Sequence, residues 1–254
     1  VNNPWFGRWA PREQASFRLF CLPYAGGAAA AYREWHALAP PHIQVCPLEL
    51  PGRGSRFSEP PVSRLRPLVD GLAGAVEPYL ERPYAIFGHS MGGLLAFELT
   101  RTLRRRGRPL PAHLFVSGRS APDTPHEFPP LEGAPDERVR QRLRELGGTP
   151  QEVLDDPELM DLVLPVLRAD FSVLESYEYQ EEPPLPVPLT VFGGTADTLV
   201  TPARLPGWRR QSSAGSRLRM LTGGHFFLHT TAPAIMSEIS AALPRAVARD
   251  TAAS

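Results

Sequence analysis

Ser90, Asp197 and His225 have the residue types and chain order of a nucleophile, an orienting acid and a general base. A serine hydroxyl attacks well only when a base takes its proton, and that base needs a third group to fix its tautomer. Ser90 lies in Gly88-His89-Ser90-Met91-Gly92, a G-x-S-x-G pattern that closes the apolar run Tyr84-Ala85-Ile86-Phe87. The run reads as a strand and the segment after Ser90 as a helix. The serine then occupies a tight elbow that throws its hydroxyl out at the top of a sheet. Glycines flank it because such a turn leaves no room for side chains, and the serine itself takes a strained backbone conformation. Asp197 ends the loop Gly193-Gly194-Thr195-Ala196-Asp197, and His225 follows Gly223-Gly224 after the next strand. Both project from the carboxyl ends of strands, where ligand chemistry gathers in parallel sheets. The chemistry so assembled is acyl transfer through a serine ester.

Other residues compete for these roles. Asp123 also follows a strand and is the rival acid to Asp197. His89, inside the elbow, reads as packing beside the site. His229, four residues past His225, reads as packing or capping, since no third ligand accompanies the pair to make a metal site. Stabilising the oxyanion needs two donors. The Met91 backbone N–H at the start of the helix supplies one, and Ala25, after Pro23-Tyr24 and before paired glycines, is the best choice for the other. Losing one such donor costs about 3 kcal/mol in the transition state. Tyr24 either shapes that wall or packs in the core. Phe226, Phe227 and the Met91 side chain either line an acyl site or pack. Pro51-Gly52-Arg53-Gly54 lacks phosphate-loop spacing and reads as a turn, with Arg53 or Arg56 meeting a phosphate or anchoring a loop carboxylate.

The elements that must position these residues alternate. Strands are expected at Phe17–Leu22, Ile43–Leu50 with Pro47 at its irregular end, Tyr84–His89, His113–Gly118, Val187–Phe192 and around Leu218–Leu221. Helices are expected from Ala28 to Leu38, from Ser63 to Leu80, from Met91 to Arg106, around Trp208, and from Ala232 to Ala248. The alternation breaks after Pro122. A proline-rich link to Pro130 leads into three or four short helices reaching Tyr177, with helix starts at Thr149-Pro150 and Asp156-Pro157. Successive strands joined by helices give an α/β class: a largely parallel sheet covered on both faces, in a single domain over residues 1–254. The helical block at 122–180 is then an insertion over one end of the sheet, a lid that excludes water and shapes a channel.

The composition excludes several classes. All 27 basic residues are Arg and balance 27 acidic ones, so neither general nucleic-acid binding nor a polybasic membrane surface is indicated. Arg101, Arg104, Arg105, Arg106 and Arg108 crowd one helix end, either complementing its dipole or docking an acidic partner. Cys21 and Cys46 sit in apolar runs and read as buried hydrophobes. No 18-residue apolar stretch and no signal-type start are present, so a cytoplasmic, non-membrane protein is expected, as a monomer.

Leu22-Pro23-Tyr24-Ala25-Gly26-Gly27 with Trp35, Leu50-Pro51-Gly52-Arg53-Gly54-Ser55-Arg56, Gly88-His89-Ser90-Met91-Gly92-Gly93, Leu167-Arg168-Ala169-Asp170, Phe192-Gly193-Gly194 with Asp197 and Trp208, and Gly223-Gly224-His225-Phe226-Phe227-Leu228 occur in this order. With them the chain resembles the α/β-hydrolase superfamily, and within it the stand-alone type II thioesterases of polyketide and nonribosomal peptide biosynthesis. The resemblance implies hydrolysis of acyl groups from the phosphopantetheine arm of acyl or peptidyl carrier proteins. It implies Ser90 as nucleophile, Asp197 as acid, His225 as base, and Met91 and Ala25 as oxyanion donors. No metal or other cofactor is implied, because the pantetheine belongs to the substrate. One departure is Tyr24, where the family commonly has histidine. A small-molecule esterase or acyltransferase, and a noncatalytic carrier-binding protein, are the alternatives.

Overall fold

The computed structural model describes residues 3–6, 12, 15–124, 131, 133–149 and 151–243. Six strands form one sheet: β1 (Phe17–Leu22), β2 (Ile43–Pro47), β3 (Tyr84–His89), β4 (His113–Ser117), β5 (Leu189–Gly194) and β6 (Ser216–Leu221). Their order is β2-β1-β3-β4-β5-β6, and every pairing is parallel. β1 to β5 are almost wholly buried, as parallel strands covered on both faces must be. β6 is the exposed edge, where Arg217 and Arg219 discourage pairing with another chain. The order reverses between β1 and β3. The loops leaving these two strands therefore diverge and open a crevice at their carboxyl ends.

Helices cover the two faces. α2 (Leu65–Val76) and α3 (Met91–Arg105) bury Leu68, Leu72, Leu95 and Leu99 in the core on one side. On the other, α1 (Trp35–Leu38), α7 (Phe227–Thr230) and α8 (Ala232–Ala242) enclose Trp35, Phe87, Phe192 and Ile235. A third cluster, including Val139, Leu143, Met160 and Leu164, belongs to α4 (Asp136–Leu146), α5 (Gln151–Asp155) and α6 (Pro157–Glu175). Among the described residues no helix is long and apolar enough to cross a membrane.

Several expected elements differ. The helix expected from Ala28 is a 3₁₀ turn, Ala29–Tyr32, followed by the single turn of α1. Ala29, Tyr32 and Trp35 are all buried, and a 3₁₀ turn aligns residues three apart where a longer α-helix would rotate them away. The Tyr32 hydroxyl donates to Leu22 O at 2.6 Å and fixes this geometry. The segment around Trp208 is likewise 3₁₀, Pro206–Gln211, with the indole N–H donating to Arg119 O at 2.8 Å. α6 is not short. Asp156 caps it by accepting from the Glu158 and Leu159 N–H groups, and its apolar face carries it through 19 residues despite Pro165. Pro150, most of the proline-rich link and residues 244–248 lie outside the described residues.

The arginine cluster is neither a bare dipole cap nor an open docking surface. Arg101 is buried and pairs with Glu98 and Glu182 at 2.8 Å each. Arg104 and Arg105 also hold Glu182, while Arg106 and Arg108 hold Glu77 and Arg106 reaches Asp70. These pairs clamp the segment leaving α6, and the end of α2, against α3.

Candidate active site

Ser90 stands at the β1/β3 crevice because the backbone at the elbow admits nothing larger than glycine beside it. A Cβ on Gly88 would lie 1.9 Å from Gly92 O, and one on Gly92 would lie 2.1 Å from Leu22 O. The helix start thus touches the end of β1 backbone to backbone, which brings the loop after β1 beside the serine. Ser90 adopts φ +54° and ψ −114°, the one positive φ at a non-glycine among the described residues. Its N–H donates to Ser117 O at 2.8 Å, which ties the elbow to β4.

His225 and Asp197 reach the same point from the ends of β6 and β5. His225 Nε2 lies 3.0 Å from Ser90 Oγ, and its Nδ1 lies 2.9 Å from Asp197 Oδ2. The other oxygen, Asp197 Oδ1, accepts from Leu199 N–H at 2.9 Å and Val200 N–H at 3.0 Å. Burial by itself would raise this carboxyl. The hydrogen bond and charge of His225, with the two N–H groups, outweigh it and hold Asp197 below the usual aspartate value. Asp197 is therefore an anion able to orient an imidazole and stabilise its protonated form. Asp123, the rival acid, is held by Arg210 at 2.6 Å.

His89 is fully buried, with Nδ1 2.9 Å from Ser117 Oγ and its ring centroid 5.3 Å from that of His225. Burial, aided by the charges of His225 and His229, pushes its imidazole well below the ordinary value, so it packs as a neutral ring. His229 Nε2 lies 3.1 Å from the Tyr24 hydroxyl.

Met91 follows Ser90 at the head of α3 and Ala25 lines the cavity over Ser90 and His225, and neither N–H donates to an acceptor among the described residues. Met91 heads α3, where the first N–H groups have no intrahelical partner. The Met91 side chain is fully buried in the core and lines no acyl site, correcting one of the expected options. Phe227 is also buried, packed edge-on to His89 at 5.4 Å. As the first residue of α7 it turns toward the sheet, so only Phe226 of that pair faces the site.

A cavity of about 160 Å³ opens over Ser90 and His225, walled by Tyr24, Ala25, Phe171 and Phe226. A second, of about 390 Å³, shares those four walls and reaches Phe57 and Leu162 at the surface. Tyr24 and Phe226, edge to face at 5.0 Å, form the partition. Arg119 was not singled out from the sequence. It lines the first cavity, and desolvation pushes its guanidinium down to about 10, so it stays charged near neutral pH.

Asp170 was quoted only within a motif, yet it organises the loop beside the serine. It is fully buried on α6 and receives Arg53 through two bonds, 2.6 and 2.7 Å, and the Gly26 N–H at 2.7 Å. Arg53 thus anchors a carboxylate, one of the two roles open to it. Arg56 instead holds Glu59 and the Glu49 carbonyl. The readable signal for Asp170 is an acid on the apolar face of a helix, between Leu167 and Phe171.

The arrangement recurs in known proteins. The thioesterase domain model matches residues 17–243. The gramicidin S biosynthesis protein GrsT of Aneurinibacillus migulanus is 45% identical over 227 residues, 89% of each chain. The RedJ thioesterase of the prodiginine pathway in Streptomyces coelicolor superposes with a TM-score of 0.84 at 38% identity, covering 95% of this chain and 94% of that one. The type II thioesterase BorB, from the borrelidin biosynthetic cluster, superposes at 0.87 with 33% identity, over 96% and 99%. By sequence and by fold alike, the chain belongs to the thioesterase family of the α/β-hydrolase superfamily, in its type II branch.

Proposed function

We propose that this protein hydrolyses acyl thioesters from the phosphopantetheine arm of acyl or peptidyl carrier proteins in polyketide or nonribosomal peptide assembly. The observation that carries the chemistry is the unbroken chain from Ser90 Oγ through His225 to Asp197, at the floor of a walled cavity. The carrier-bound substrate is supported by relatives such as GrsT, RedJ and BorB, each named for a biosynthetic pathway.

In this reading His225 Nε2 takes the Ser90 proton as Oγ attacks the thioester carbonyl. The Ala25 and Met91 N–H groups receive the oxyanion. The carbon–sulfur bond breaks, His225 returns the proton to the pantetheine sulfur, and an acyl-serine remains. Water then gives its proton to His225, attacks the ester, and frees the carboxylic acid as Ser90 regains its proton. Every proton moves among these residues, the substrate and the attacking water, and no step requires a metal or redox partner. Tyr24, at the partition, acts through its ring, since the donor in that loop is backbone.

Residues 122–180 act as the lid of a single domain. They are supported in this by an apolar cluster of their own and by Leu131, Phe171 and Leu174 facing the Ser90 cavity. The cytoplasm is the proposed setting, where Cys21 and Cys46 remain buried thiols. A panel of acyl-loaded carriers and simple esters tests the function. Carrier deacylation yielding free acid is expected. Rapid ester turnover with no carrier deacylation would overturn the reading, and an acyl product on an added amine or alcohol would reveal a transferase.

A further inference from the structure

The loop that carries Ala25 is pinned on both sides. Leu22 O accepts from the Tyr32 hydroxyl, and Tyr24 O accepts from Gly27 N–H at 2.8 Å. Gly26 N–H donates to Asp170 Oδ2, and Gly27 O accepts from Arg53 at 3.3 Å. Gly26 takes φ +75°, and a Cβ there would meet Leu167 of α6 at 2.7 Å, so the helix sits directly on the turn. Three of these four ties come from within the sheet region and its loops. The fourth, Asp170, comes from the helical insertion, 144 residues along the chain.

An ion pair buried this fully is poor evidence for stability as such, because desolvating two charges cancels much of their attraction. What a hydrophobic pair could not supply is the acceptor for the Gly26 N–H and the fork that fixes Gly27 O. We infer that Asp170 is a positioning residue for catalysis: with Arg53 it sets the Ala25–Gly26 peptide, and through it the direction of the Ala25 N–H toward the oxyanion. The inference rests on Ser90 and Ala25 having the roles proposed above. It makes the insertion a structural part of the oxyanion hole as well as a cover.

The test compares wild type with three variants on an acyl-loaded carrier, alongside thermal melting and inhibition by an alkylboronic acid. The boronate forms a tetrahedral adduct with the serine and places an oxygen where the oxyanion sits. Arg53→Met with Asp170→Ala removes both charges together, so no buried charge is left unpaired, and thermal melting reports whether it is folded. Arg53→Met with Asp170→Asn, the rescue variant, also removes both charges but keeps a carbonyl oxygen for the Gly26 N–H. Ser90→Ala reports on the catalytic reading itself.

For the double variant, kcat is expected to fall about 100-fold, the cost of misplacing a group by an ångström, with KM nearly unchanged. Boronate affinity should fall by a similar factor. The rescue variant should recover most of both. A folded double variant with wild-type kcat and boronate affinity would overturn the inference while leaving the proposed catalysis intact, provided Ser90→Ala is inactive. An active Ser90→Ala together with a wild type blind to the boronate would overturn both. Loss of melting temperature in the double variant without change in boronate affinity would reduce Asp170 to a structural role and overturn the inference as well.

Discussion

Ser90 holds φ +54° and ψ −114°, a conformation that costs a residue with a side chain about 1–3 kcal/mol. Glycine adopts it freely but loses more backbone entropy on folding, about 0.5–1 kcal/mol relative to alanine. Ser90→Gly should therefore be more stable than Ser90→Ala by roughly 1–2 kcal/mol, near the middle of the 0 to about 2.5 kcal/mol that the two ranges allow. Both variants lose the same hydroxyl contact with His225, 3.0 Å in the wild type, so that loss cancels in the comparison. At this chain length each kcal/mol moves the melting temperature by about 2–4 °C, which gives a gap of roughly 2–8 °C. Calorimetry on the two purified variants reads it directly, and both should be inactive. An alanine variant melting at or above the glycine variant would show that the elbow stores no strain, and the reasoning from its backbone would fall.

Four further outcomes are expected. Asp197→Asn should lower kcat by about 10⁴, since the amide cannot hold His225 in the required tautomer. Because the Asp197 carboxyl is depressed in the folded state, its stabilising contribution is present above the ordinary aspartate value of about 3.9 and fades as pH falls through the lower, folded value. The melting-temperature gap between wild type and Asp197→Asn should thus hold from neutral pH to about pH 5 and shrink in acid, as a pH series of melts would show. Arg101→Met leaves Glu98 buried beside a neutral side chain. It should cost about 3 kcal/mol, a drop of roughly 10 °C, with kcat within about twofold of wild type in steady-state assays. Phe226→Ala removes half of the partition with Tyr24 and should shift kcat/KM toward bulkier acyl chains when carriers of graded acyl size are compared.

The sheet was legible because apolar runs bounded by Gly and Pro are what buried parallel strands require. The elbow and Asp197 were legible because each follows such a run, and His225 because it follows the next strand, the exposed edge β6, and two glycines at the same sheet end. The 3₁₀ turns at Ala29–Tyr32 and around Trp208 were not, since their geometry answers to tertiary contacts such as Tyr32 with Leu22 O and Trp208 with Arg119 O. The arginine run was legible in composition only; its partners Glu182, Glu77 and Asp70 are distant in sequence. Phe226 and Phe227 are adjacent letters with opposite fates, because one helical turn places the second against His89. Asp170 had a visible signal, an acid on an apolar helix face, but its partners Arg53 and Gly26 emerge only when α6 lies across the loop.

The most direct measurement is rapid-quench intact-protein mass spectrometry after mixing with an acyl-loaded carrier protein. Wild type should gain the acyl mass before free acid accumulates, located by digestion to the peptide containing Ser90, and pure Ser90→Ala should gain none and release none above background. Undiminished release of the acid by Ser90→Ala would contradict catalysis through a serine ester.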